Sequence, residues 1–224
     1  MIRGVLRSRR QAASHADFWA AARDALRPQA LTFAVLGDSA AQGVGVEDPR
    51  QGYVATLSAR LQAQTGADVD VVNLSVSGAH IADVVRDQLP RLAHLDREPD
   101  VIACVIGGND VAAVRRWFRI DDFRRDADTI AQALPRHAVL GSVPSFGPLP
   151  NNRWARQASD VQREVATRYG LGFANLFTPT QATWPWPGPT LLSGDWFHPN
   201  ARGYRVWADA LWPRVQEVAL ARTR

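Results

Sequence analysis

Apolar residues in this chain fall into five short runs, separated by longer stretches in which they recur every three or four positions. The runs cover residues 31–36, closed by Gly37, then 69–74, 101–106, 137–143 and, more weakly, 172–176. The third is continuously apolar, as a strand covered on both faces should be. Helical periodicity fills 15–27, 53–64, 80–94, 121–134, 153–169 and 201–221. Asp121 or Asp122 can cap one helix, and Pro199 suits the first turn of another. Such alternation predicts a parallel sheet with helices on both faces. Right-handed crossovers make it a doubly wound, five-stranded α/β fold. There is no internal repeat. The connections at 144–152 and 177–194 are long and Pro-rich, and loops of that size in a compact domain often carry function.

Composition sharpens this picture little. With 224 residues, 46% hydrophobic and 21% charged, the chain suits one folded domain. The expected division is a basic segment and helix over 1–28, packed on a single domain over 29–224. All 26 basic residues are Arg, and the net charge is +4. They are interleaved with acids except at residues 3–10, where an uncompensated basic run reads as a solvated tail, with anion binding as the alternative. No nucleic-acid partner is expected. The single cysteine, Cys104, lies in the third apolar run and excludes an intramolecular disulfide; a buried, inert thiol is expected there. No apolar signal core follows the basic start, and no apolar run approaches the ~20 residues of a transmembrane helix. A cytoplasmic location is the resulting expectation.

In open parallel sheets, chemistry sits outside the carboxyl ends of the strands. After the first run comes Gly37-Asp38-Ser39, after the second Ser75-Val76-Ser77-Gly78, and after the third Gly107-Gly108-Asn109-Asp110. Near the end stands Asp195-Trp196-Phe197-His198. A serine hydroxyl needs a base to become a nucleophile. Ser39, presented by a tight turn, is the candidate nucleophile, and His198 the candidate base. Asp195, three residues earlier, can fix the imidazole tautomer. An oxyanion pocket could draw on the amide of Asn109 and the backbone N–H groups of Gly78 and Ser39. Asp38, Gly37 and Asp110 are supporting residues.

These four segments, in this order and spanning residues 37–198, resemble the signature blocks of the SGNH/GDSL hydrolase family. The resemblance implies a three-layer α/β/α, flavodoxin-like fold and hydrolysis of esters or related acyl bonds with no metal or other cofactor. It implies Ser39 as nucleophile, His198 as base, and Ser39, Gly78 and Asn109 as oxyanion donors. Ala40 departs from the Leu of the older family name, at a position that does no chemistry.

Blander readings stand beside these. Ser39 could cap a helix, Asn109-Asp110 could form a turn, and His198 could merely bond a carbonyl. His80 could line the cleft. Trp184, Trp186 and Trp196 could form a platform for an acyl chain or a sugar, or serve as lid packing or a self-association patch. Trp117, Trp154, Trp207 and Trp212 sit on helical spacing and read as packing. Asn73 and Ser75 read as ties for the second loop. The expected partner is a small ester or acyl substrate. A nucleotide binder with a phosphate loop at Gly37–Gly45 is a competing class, weakened because the chain has no Lys for a Gly-x-x-x-x-Gly-Lys motif. A non-catalytic binder on the same scaffold, and an acyltransferase, are the others.

Overall fold

The computed structural model describes residues 2–112 and 118–222. Helix α1 (Ile2–Asp24) leads into β1 (Leu31–Gly37), the short α2 (Ser39–Gln42) and α3 (Tyr53–Thr65). Next come β2 (Val69–Asn73), then α4 (Ile81–Asp83), a π turn (Val84–Gln88) and α5 (Leu89–Ala93). Strand β3 (Val101–Val105) is followed by α6 (Gly108–Ala112) and α7 (Ile120–Ala133), and β4 (Ala138–Gly141) by α8 (Asn152–Tyr169). The chain finishes with β5 (Gly172–Ala174), α9 (Phe177–Ala182) and α10 (Ala201–Arg222).

All strand pairs are parallel, in the order β2-β1-β3-β4-β5. The fold is therefore a doubly wound, three-layer α/β/α sandwich. Alternate residues of each strand point into different cores, which follows from the two-residue period of a strand. Ala34, Leu36, Ile102, Cys104 and Leu140 meet α7 and α8 on one face. Phe33, Val35, Val101, Ala103 and Val139 meet α3 and α10 on the other. Cys104 is fully buried, and burial pushes its thiol up to about 12, so it is inert at neutral pH.

Several local expectations are corrected. Helix α1 begins at Ile2, so the basic stretch 3–10 is helical rather than a tail. Its Arg7 pairs with Glu47. The 80–94 helix is broken by its π turn. Asp121 and Asp122 lie inside the first turn of α7, whose capping position is Arg119. At α10 the cap is Asn200, whose Oδ1 accepts from the Arg202 and Gly203 N–H groups at 2.9 and 3.2 Å; Pro199 precedes the helix. The 177–194 connection contains α9 and a 3-10 turn (Gly188–Leu191). Trp207 is buried, and Trp154 and Trp212 pack at core margins. Trp117 lies outside the described residues.

Candidate active site

Strand β1 ends in a turn that only glycine tolerates. Gly37 has φ +153°, and a Cβ there would lie 2.5 Å from the Val105 carbonyl oxygen on the neighbouring strand. The next two residues start α2. Asp38 caps it, its Oδ1 accepting from the Ala40 N–H at 2.9 Å. Ser39, 6% exposed, is the first helical residue.

The other half of the site comes from the far end of the chain. An isolated antiparallel bridge joins Leu192 to Pro199, and the Ser193 N–H donates to the His198 carbonyl at 2.8 Å. Together they close a small loop over residues 193–198. Trp196 takes φ +60°, unusual for a bulky residue, and its N–H donates to the Ser193 carbonyl at 3.0 Å. The three-residue spacing of Asp195 and His198 is thus used by a strained loop, not by a helical turn.

Across 159 residues of sequence, Ser39 Oγ lies 2.8 Å from His198 Nε2. His198 Nδ1 lies 2.6 Å from Asp195 Oδ2. Asp195 Oδ1 accepts from the Ser193 hydroxyl at 2.7 Å and from the Phe197 and His198 N–H groups at 2.9 Å each. Oδ2 also accepts from the hydroxyl of Ser8. The side chain is only 4% exposed. Burial alone would raise this carboxyl, but the donors from His198, Ser8 and Phe197 outweigh it and hold it well below the usual carboxylate range. It is an anion at every pH of interest, and His198 Nδ1 is thereby fixed as the donor nitrogen.

Behind Ser39 sits a buried polar group of the opposite tendency. Burial raises the Asp38 carboxyl to about 6, against the pull of the Ala40 N–H and of His198. Asn109 Nδ2 donates to the Ala79 carbonyl at 2.9 Å and approaches Asp38 Oδ2 at 3.4 Å. Asp110 accepts from the Ile81 N–H at 3.0 Å and faces His80 Nδ1 at 3.4 Å, so it secures the loop after β2. Burial raises its carboxyl too, with His80 opposing. Gly78, at φ +83°, leaves open space where a side chain would point. Asn73 donates to the Ala41 carbonyl at 2.8 Å and accepts from the Ser75 hydroxyl at 2.5 Å, tying the second loop to α2 as expected.

A cleft of about 530 Å³ opens beside Ser39 and His198, walled largely by apolar side chains such as Ala112, Phe146, Leu149, Leu191 and Trp207. Trp184 and Trp196 line it; Trp186 and His80 do not. Trp186 is 71% exposed, and His80 stands at the start of α4. Trp184 lies against Gly147 and Gly188, leaving no room for a side chain at either.

Sequence reasoning missed three residues. Ser8 reaches Asp195 from α1. Gln88, fully buried, accepts from the Gly37 N–H at 2.9 Å and donates to the Gly37 carbonyl at 2.8 Å. Gln162, also fully buried, accepts from the Val143 N–H and donates to the Ile106 carbonyl, both at 2.8 Å, bracing the ends of β3 and β4. For the glutamines the available signal was an amide inside an otherwise apolar helix face.

Residues 35–206 match the model of the GDSL-like Lipase/Acylhydrolase family. No curated protein gives a significant sequence match. Among solved structures, LAE5, described as an alpha/beta hydrolase enzyme from the metagenome of Lake Arreo, superposes with a TM-score of 0.68 at 23% identity, over 84% of this chain and 95% of that one. Axe2, an acetylxylan esterase from Geobacillus stearothermophilus, gives 0.68 at 20% identity, over 84% and 94%. TesA gives 0.67 at 25% identity, over 84% and 99%.

Proposed function

This chain belongs to the GDSL-like Lipase/Acylhydrolase family, and on that premise we propose that it hydrolyses carboxylic esters through an acyl-serine intermediate on Ser39. The observation that carries the reading is the continuous line from Ser39 Oγ through His198 to a buried, anionic Asp195. In this scheme His198 Nε2 takes the Ser39 proton as Oγ attacks the ester carbonyl carbon. Asp195 holds the ring and steadies the imidazolium without accepting its proton. His198 then protonates the departing alcohol. A water enters, gives its proton to His198, and attacks the acyl carbon; His198 returns that proton to Ser39 Oγ.

The developing oxyanion would be met by the N–H groups of Ser39 and Gly78 and by Asn109 Nδ2. The amide of Asn109 makes one short hydrogen bond, to Ala79, and one long contact, to Asp38. The second N–H is therefore available at little cost. The apolar cleft favours an acyl chain over a sugar as the group it covers. Its volume falls within the ~300–1,000 Å³ of sites that hold drug-sized ligands. Residues 29–224 would form the hydrolase domain, with the 1–28 segment packed against it. An alcohol entering in place of water would make the same site an acyltransferase.

The test is a panel of p-nitrophenyl esters of increasing acyl length, with a fluorophosphonate probe. Wild type should turn over and label at Ser39. Ser39→Ala should lose label and at least about 10³-fold in turnover. A Ser39→Ala variant with most of its turnover would remove Ser39 from the scheme.

A further inference from the structure

The family match starts at residue 35, so α1 lies outside it. Yet α1 touches the site at several points. Ser8, Gln11, His15 and Trp19 recur at intervals of three, four and four, which places them on one helix face. That face bonds to the loop that follows the nucleophile and to the loop that carries the base.

The contacts are specific. Trp19 Nε1 donates to the Gln42 carbonyl at 3.1 Å, at the end of α2. Gln11, buried, donates through Nε2 to the Val46 carbonyl at 2.7 Å and accepts through Oε1 from the Gly45 N–H at 3.1 Å. His15 Nε2 lies 3.4 Å from the Glu47 carbonyl, and burial lowers its affinity for a proton. The gripped loop in turn packs on the base. Gly45 has φ +110°, and a Cβ there would lie 2.3 Å from the Pro199 carbonyl oxygen and 2.9 Å from His198 Cβ. One turn before Gln11, the Ser8 hydroxyl reaches Asp195 Oδ2, the same oxygen that faces His198 Nδ1.

We propose that α1 is a working part of the active site and that Ser8 is a positioning residue, its hydroxyl fixing Asp195 Oδ2 against His198. This rests on the reading of Ser39, His198 and Asp195 as a catalytic triad. By donating to Oδ2, Ser8 draws charge from the oxygen that faces the imidazole and limits its rotation. The hydroxyl therefore tunes how strongly Asp195 attracts an imidazolium. The other titratable groups around the pair are Asp38, behind Ser39, and Tyr204 of α10; the Arg7–Glu47 ion pair is exposed. None of them supplies a second hydroxyl to Oδ2 among the described residues.

The experiment compares full-length wild type, Ser8→Ala, Ser8→Thr and Arg7→Ala by pH-dependent ester kinetics and thermal melting. Alanine suits a helix, so Ser8→Ala should fold. Its kcat should fall about tenfold, as expected for one charge-assisted hydrogen bond, with KM changed less than about twofold. The acid limb of its kcat/KM profile should move up by about half a pH unit, because an unmasked carboxylate holds an imidazolium more tightly. Ser8→Thr, which keeps the hydroxyl, should restore both. Arg7→Ala, which breaks the neighbouring ion pair only, should leave both unchanged. An acid limb that stays in place in Ser8→Ala overturns the proposal, as does Arg7→Ala reproducing its effects. If Ser39→Ala is inactive while Ser8→Ala is normal, the triad reading stands and this inference alone fails. A fully active Ser39→Ala would end both.

Discussion

The side-chain amide of Gln88 pairs with both backbone groups of Gly37, two residues before Ser39. Gln88 is the last residue of the π turn between α4 and α5, a rare backbone geometry. The Gly37 carbonyl also accepts from the Val76 N–H at 3.2 Å, so one residue joins the first and second loops of the site. Replacing Gln88 by Leu leaves a buried N–H without its acceptor. Stability should fall by ~2–3 kcal/mol in urea denaturation. Turnover should fall as well, because the turn that presents Ser39 loses its brace. A variant as stable as wild type would show that water or a shifted side chain replaces the amide.

Asn109 offers a test of the oxyanion pocket. Its side chain bonds the Ala79 carbonyl, one residue from Gly78, and approaches Asp38, which lines the cleft beside Ser39. Asn109→Ala should lower kcat by ~10²–10³ with little change in KM, since the donor matters when negative charge develops. A large rise in KM with unchanged kcat would instead mark Asn109 as a ground-state contact.

Asp38 predicts a pH dependence of stability. Its folded carboxyl titrates at about 6, above the 3.8 of an exposed one, because burial disfavours the anion. Between those values the folded protein keeps a proton that the unfolded chain has released. Stability therefore declines as pH rises from about 4 to about 6, and the loss is complete above that window. Asp38→Asn retains an oxygen for the Ala40 N–H and removes the charge. At pH 8 it should be more stable than wild type by on the order of 2 kcal/mol, and at pH 4 the difference should vanish. Urea denaturation at pH 4, 6 and 8 reads this directly. Equal stability at pH 8 would mean that the carboxylate is better solvated than its burial suggests.

Gly45 predicts a coupled loss. A methyl group at this position strikes the Pro199 carbonyl and the His198 Cβ, both set by the 193–198 loop. Gly45→Ala should cost ~1–3 kcal/mol of stability and displace the base, lowering kcat more than KM. Unchanged kinetics with lower stability would show that the loop yields without moving His198.

The strands and the layer order were legible because β1, β2 and β3 are short, β-rich runs, β3 continuously apolar, with polar, glycine-bearing exits. The polar residues at those exits, together with Asp195 and His198, also gave the candidate site. What escaped notice depended on long-range polar pairing. Gln88 and Gln162 stabilise backbone ends far away in sequence, and an amide on an apolar helix face does not by itself name the group it reaches. The basic stretch 3–10 hid a helix because its charges dominate its composition, while the contacts described there, from Arg7 and Ser8, reach residues far away in sequence. Asn200 was overlooked as a cap because the adjacent proline offered a simpler start signal. The role of Trp186 was equally illegible: its neighbour Trp184 packs inward while it stands in solvent, and both share the same Trp-Pro context.

The 159-residue gap between Ser39 and His198 also bears on how the protein is made. A ribosome releases Ser39 early, while the loop that holds His198 emerges only after the fifth strand. On the proposed triad reading, a nascent chain halted before that point would hold the serine but not the imidazole that activates it. Competence would then arrive only with residues 195–198, and a chain stopped short of them would be inert.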